Sequence, residues 1–354
     1  VVTGVAFLVV AAGVASAVVA TSSSTPHTAV HKTVVTSTTT PAPVITARCP
    51  LTDEPPAGGT VPDRPALLIK VGNEPDGARP QSGLNEADIV YDTPAEGFIM
   101  RYVAVFQCEN ASAIGPTRSV RWVDWNMIAR PFVHPILAFA GGIDPNVNGL
   151  AALPWLTGAN LLEGAQTAAH RISSRVAPDN LYTSTSAIYA LFPTKKTPPP
   201  SVFDFAPRTF PGATPAASIQ INFSEGTDVL WKWDPTAHLW LHTYLGTPDI
   251  DTLTGAQVST TNIVVEIVHY SIGPYIESRG GSGDIESILT GSGPGYVLRG
   301  GRSVAVTWHR EDLLGKTTFT NAAGQPVGLA PGRTWVEIVP DTQADAPGGI
   351  TVTK

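Results

Sequence analysis

Three carboxylates recur at four-residue intervals in ADIVYDTPAEG: Asp88, Asp92 and Glu96. Residues an even number apart on a strand project from one face. Asp88 and Asp92 therefore share a side, and Glu96 follows beyond the Thr93-Pro94 turn. Two carboxyl groups flanking a sugar bond can act as acid and as base or nucleophile, which makes this trio the candidate catalytic set. The competing reading pairs the same acids with Arg101, Arg118 and Arg121 as structural clamps.

Arg118 and Arg121 lie in IGPTRSVRWVDWNMIARPF, residues 114–132. The spacing of Val120, Val123 and Met127 predicts a helix over about 119–130 with an apolar stripe, and it puts Arg118 at the amino end. Two guanidinium groups beside free backbone N–H groups could receive a carboxylate, sulfate or phosphate. The alternative turns Arg121 toward Asp124 or the acids of 86–96 and lets Trp122 and Trp125 fill the interior. Arg79, in a loop punctuated by Gly72, Gly77, Gly83, Pro75 and Pro80, is a further candidate ligand contact. So are Asp144 and Asn146, in a polar loop after Gly141-Gly142.

Other chemistries lack their signatures. No serine sits in a GxSxG elbow, and the glycine-rich stretches have neither the GK[ST] ending of a phosphate loop nor the dinucleotide fingerprint. No cofactor is indicated. His238 and His242 are expected to share a strand face, and His27 and His31 stand four apart in a segment ill suited to a helix, so no metal site is expected. The formal charge is −7. Lys32 and Arg48 are the only Asp, Glu, Lys or Arg residues before position 49, so residues 49–354 carry −9. Such an acidic body argues against nucleic acid as a partner.

These groups must be positioned by a body that starts late in the chain. Residues 1–20, VVTGVAFLVVAAGVASAVVA, are uncharged and long enough to cross a bilayer; a retained anchor is favoured over a cleaved export segment. Residues 21–48 read as a flexible Ser/Thr/Pro-rich stalk. The only cysteines, Cys49 and Cys108, are expected to form a disulfide that ties the start of the body to an internal strand, with two free thiols as the alternative.

Strands are expected at 64–71, 87–92 and 98–107, and a helix from Thr183 onward. Proline density in 193–217 marks a seam, followed by alternating β-branched segments. Trp231, Trp233, Trp240, Trp308 and Trp335 fall in this second part and are assigned to sheet packing rather than to a carbohydrate-binding face. The expected class is α+β, with a mixed α/β domain over 49–200, a proline-rich connection over 201–217, a strand-rich, mainly antiparallel domain over 218–345, and a tail over 346–354.

The segments RPALLIKV, ARPQSGLNEADIVYD, GFIMRYVAVFQ, IGPTRSVR and NLYTS, continuing through LGTPDIDTLTGAQVSTTNIVVEIV, GSGPGYVLRGGR and PGRTWVEIVP, closely resemble the YerB-like bacterial lipoprotein family, domain of unknown function 3048. The resemblance covers about residues 49–340. It implies an extracytoplasmic envelope protein with a mixed amino-terminal part and a carboxy-terminal family domain, and it carries no catalytic mechanism. Family members look like lipoproteins, whereas a lipid-attachment cysteine does not follow the apolar segment here; Cys49 lies too far along. The expected function is a noncatalytic envelope-associated binding or assembly module for a cell-wall, anionic or glycan-like partner. The alternative is a glycan hydrolase using paired carboxylates.

Overall fold

In the computed structural model the described residues are 47–223, 227–277, 281–346 and 349–354. The anchor expected at 1–20 and all but the last two residues of the expected stalk lie outside them. Among the described residues no helix is long and apolar enough to cross a membrane.

The described residues belong to one compact unit. Strands β1 (Leu67–Val71), β2 (Ile89–Pro94) and β3 (Met100–Phe106) are buried along their whole length, as hydrophobic runs do when both faces of a sheet are covered. β3 is antiparallel to both β1 and β2. β1 continues in parallel to β4 (Ile136–Phe139), and β4 to β5 (Thr157–Asn160).

The sheet does not stop at the proline-rich connection. β2 pairs in parallel with Thr334–Pro340, which pairs in parallel with Asn262–Val268; the antiparallel strands Gly291–Arg299, Arg302–Arg310 and Thr318–Asn321 follow. With the short strand Thr214–Pro215 this makes eleven strands among the described residues. The amino-terminal and carboxy-terminal regions thus share one sheet. A second, antiparallel sheet is built around Ser218–Asn222, Asp228–Asp234 and Leu239–Tyr244. The α+β class holds, with mixed pairing first and mainly antiparallel pairing later.

Alternation along the central strands feeds two cores. Leu67, Ile69, Val90, Tyr102 and Phe106 pack with Trp231, Trp240 and Trp335 of the later region. Leu68, Ile89, Tyr91 and Val105 pack on the opposite face with Val120, Val123, Met127 and Phe132. Trp231, Trp240, Trp308 and Trp335 are buried, as sheet packing requires. Cys49 and Cys108 are joined as a disulfide.

Three local expectations are corrected. The helix expected over 119–130 shrinks to a short helical segment containing a π-turn at Asp124–Ile128, then a 3-10 turn at Arg130–Phe132. The Asp124 side chain reaches back to accept the Arg121 N–H at 2.7 Å, and Pro131 removes a donor that a continuing helix would need. The loop expected after Gly141-Gly142 is instead a helix, α1 (Asp144–Ala151), with Asp144 and Pro145 in its first turn, where both residue types are favourable. His238 does not share a strand with His242; it sits in the preceding turn at φ 55°, while His242 is buried and hydrogen-bonded to Asp249 at 2.9 Å.

Candidate functional site

A charged position, Lys70, interrupts the apolar run LLIKV of β1 and is fully buried. Its Nζ lies 2.7 Å from Asp124 Oδ1. Burial lowers the lysine pKa, and Asp124 works against that shift. The pair fastens the π-turn to the sheet and so sets the direction in which Arg121, Trp122 and Trp125 leave it.

Arg121 then engages Glu96 with two bonds, Nε to Oε2 at 2.7 Å and Nη2 to Oε1 at 2.6 Å. Glu96 also receives Arg101 at 3.2 Å; Arg101 reaches Glu74 at 2.8 Å, and Glu74 takes Arg118 at 2.7 Å. Asp179 closes the far end of the series, 2.7 Å from Arg118. Burial alone would raise the Glu96 carboxyl, but the Arg121 hydrogen bonds and the charges of Arg101 and Arg121 hold it down at about 2. The anion site expected at Arg118 and Arg121 is therefore corrected: protein carboxylates enclose both guanidinium groups, which act as clamps.

At its near end this series meets a cleft of about 450 Å³, lined by Trp122, Trp125, Asn146, Tyr275, Glu277, Asp284 and Glu286 among others. Gly273, Tyr275 and Glu277 alternate along and just beyond one arm of a hairpin, Tyr270–Ile276, and Asp284 and Glu286 lie on the other arm, Gly283–Ser287. A Cβ at Gly273 would lie 2.8 Å from Glu286 Oε1, and one at Gly149 would lie 2.9 Å from the Trp125 ring. Glycine at each place leaves room for a wall of the cleft.

Asn146 bridges two walls. Its side-chain oxygen accepts from Trp125 Nε1 at 3.3 Å, and its amide donates to Glu277 Oε1. Glu277 Oε2 stands 3.5 Å from Arg121. Asp284 Oδ2 accepts the Trp122 N–H at 3.0 Å, while Oδ1, 4.0 Å from Arg121 Nε, has no hydrogen-bond partner among the described residues. Burial pushes the Asp284 carboxyl up to about 7 against the pull of the Trp122 N–H and Arg121. Burial raises Glu277 and Glu286 as well.

The structure thus brings Arg121 and Asn146 together at Glu277 and places the other expected residues elsewhere. Asp144 is exposed at the start of α1. Arg79 binds Asp249 at 2.7 Å and lies over the Tyr244 ring at 4.0 Å, beside a separate hollow of about 280 Å³. Asp88 and Asp92 are fully buried. Asp88 accepts the backbone N–H groups of Gln107 and Cys108, and Asp92 lies opposite Glu337 on the neighbouring strand. Burial and the Glu337 charge raise Asp92. With Glu96 held by arginines, the three acids have three separate sets of partners and form no paired set.

Tyr275, Glu277, Asp284 and Glu286 were not singled out by sequence reasoning. Their signal was the alternation GxYxE followed by DxE across a glycine-rich turn, which reads as one hairpin face only once the two arms are paired. A larger depression of about 680 Å³ near Val133, Trp155, Leu313 and Leu314 is mostly apolar and lacks such a floor of buried carboxylates. Among the described residues no group of three or more His, Cys, Asp or Glu is arranged to hold a metal ion.

Residues 51–198 match the family described as "Protein of unknown function (DUF3048) N-terminal domain", and residues 219–336 match its C-terminal domain. A curated relative, "Putative lipoprotein YerB" of Bacillus subtilis (strain 168), is 30% identical over 300 residues, covering 80% of this chain and 84% of that protein. The crystal structure of YerB protein from Bacillus subtilis superposes with a TM-score of 0.73 at 24% identity, over 87% of this chain and 100% of that one.

Proposed function

The chain belongs to the DUF3048 family, and from that premise we propose that it is an extracytoplasmic, envelope-associated binding module whose Trp122–Trp125–Tyr275 cleft takes a glycan-like partner. The supporting observation is the combination of three aromatic side chains with Asn146, Glu277, Asp284 and Glu286 in one concavity. Aromatic faces stack on the C–H face of a sugar ring, and carboxylate and amide oxygens accept from its hydroxyl rim. The lipoprotein name of the Bacillus relative and the apolar stretch 1–20 support an envelope location.

Titrating the purified chain with soluble cell-wall oligosaccharides, with tryptophan fluorescence and calorimetry as readouts, tests the reading. Saturable binding that Tyr275→Ala weakens about tenfold, the loss of roughly 1.4 kcal/mol of contact, is the expected result. Tyr275 is 55% exposed, so its removal leaves the core intact. Binding insensitive to this change would place the partner elsewhere.

Glycan hydrolysis is a second reading, favoured by one observation. Asp284, at about 7, has the protonation of a general acid near neutrality, and Glu277 adjoins the same arginine. In this form the carboxylates concerned are Glu277 and Asp284, not Asp88, Asp92 and Glu96. Product release by the wild-type chain, abolished by Asp284→Asn and retained by Asp88→Asn, would establish it; binding without any product would reject it.

A further inference from the structure

Among the described residues, the carboxylates at and behind the cleft outnumber the cations that serve them. Arg118, Arg101 and Arg121 serve Asp179, Glu74, Glu96, Glu277 and Asp284, while Lys70 and Asp124 satisfy each other. Arg121, the guanidinium nearest the floor, spends its two short bonds on Glu96. It stays at 3.5 Å from Glu277 and 4.0 Å from Asp284, beyond hydrogen-bond range. The side chains of Glu277 and Asp284 are 2% and 5% exposed, so water screens them little. Asp284 lines the cleft, its buried Oδ1 has no hydrogen-bond partner among the described residues, and Glu286 adds a third carboxylate to the lining.

We infer that the partner's recognised unit is a sugar bearing a free, positively charged amino group, whose ammonium sits against Asp284 and Glu277 between Trp122, Trp125 and Tyr275. This rests on the glycan-binding reading of the same cleft and specifies the substituent it selects. An ammonium offers three donors and one positive charge to carboxylates that each accept one hydrogen bond among the described residues and whose nearest cation there, Arg121, stays at 3.5 and 4.0 Å. The aromatic faces attract the same charge through their quadrupoles. A neutral N-acetyl group supplies one donor and no charge, and an anionic sugar brings a charge of the same sign as the ionised carboxylates of the cleft.

Binding has a proton signature. The groups facing Asp284 are Arg121, Glu277, the Trp122 N–H and, across the Lys70 pair, Asp124. Its carboxyl holds a proton up to about pH 7 in the free protein. An ammonium beside it favours the ionised form, so the site sheds a proton as the ligand enters.

The experiment titrates the full chain at about pH 6, below the Asp284 value where an alkylammonium is charged, with two probes of equal length: a β-1,4-linked glucosamine tetramer and its fully N-acetylated counterpart. The expected result is at least tenfold tighter binding of the free amine, with net proton release seen as a dependence of the heat on the ionisation enthalpy of the buffer. Asp284→Asn and Glu277→Gln should each remove most of the preference for the free amine. If a variant does not fold, the proton release of the wild type decides alone. Equal or tighter binding of the N-acetylated tetramer overturns the amine inference and leaves the glycan reading standing. A preference that persists in both variants also overturns it, since the acidic surface as a whole would then attract the polyamine. Binding of neither tetramer overturns both readings.

Discussion

Arg121 has two hydrogen bonds to Glu96 and two longer contacts to carboxylates of the cleft, so it links the clamp to the site. Its charge was legible in the sequence, and so was the competition between a ligand and the acids of 86–96. The outcome was not legible, because Glu74, and Glu277 and Asp284 of one hairpin, converge on these arginines from two other parts of the chain. Lys70 shows the same limit: its place in an apolar strand was plain, but its partner Asp124 lies 54 residues away. Removing one partner of so buried a pair leaves an uncompensated charge, so Lys70→Ala should lower stability by about 3–5 kcal/mol. Lys70→Met, Asp124→Leu together should cost far less; urea unfolding of the three chains checks both.

Protonation adds a prediction at the same scale. Burial holds Asp88, Glu266 and Asp284 up to about 7, above their ordinary values of 3.8, 4.5 and 3.8. The folded state therefore binds these protons more tightly than the unfolded chain. Their contribution is fully present below the unfolded values and is lost as pH rises through about 7. Glu96, held at about 2, works in the opposite sense and matters only as pH falls from 4.5 toward that value. The melting temperature should thus fall between about pH 4 and pH 7, with each raised group contributing up to about 1.4 kcal/mol per pH unit. Asp88→Asn should flatten the slope, and an unchanged slope would refute the assignment of Asp88.

At the scale of elements, the strands were readable because apolar residues dominate each one; β1 and β3 fall within the expected segments, while β2 runs on to Pro94, through the turn expected at Thr93-Pro94. The helix over 119–130 was overdrawn. Periodicity identified the buried residues Val120, Val123 and Met127, yet capping by Asp124 and the proline at 131 shortened the helix. α1 was missed because its asparagines and glycine read as loop; Gly149 is there to admit the Trp125 ring. The disulfide between Cys49 and Cys108, 59 residues apart, fastens the entry segment to the end of β3. On a loop-entropy argument its removal costs about 4 kcal/mol, so Cys49→Ser, Cys108→Ser should lower the denaturation midpoint while leaving the cleft able to bind.

For the whole molecule, the proline-rich connection divides the sequence without dividing the sheet. β2 has Thr334–Pro340 as a neighbour, and Tyr102 meets Trp335 edge-on at a ring separation of 5.0 Å. Residues 49–200 alone would expose that edge and half of a core. They should fail to give a cooperative unfolding transition until residues 201–354 are supplied. The cleft has the same dependence, taking Trp122, Trp125 and Asn146 from the first region and Tyr275, Glu277, Asp284 and Glu286 from the second. This is why Asn146 was legible as a candidate contact while its partner Glu277 was not.

The proposed binding of the envelope partner in this shared cleft is decided by calorimetric titration of the wild-type chain and of Tyr275→Ala with soluble cell-wall oligosaccharides. Saturable binding by the wild type, and an affinity about tenfold lower in a variant of unchanged melting temperature, are expected. Equal affinities, or no binding by the wild type, would contradict it.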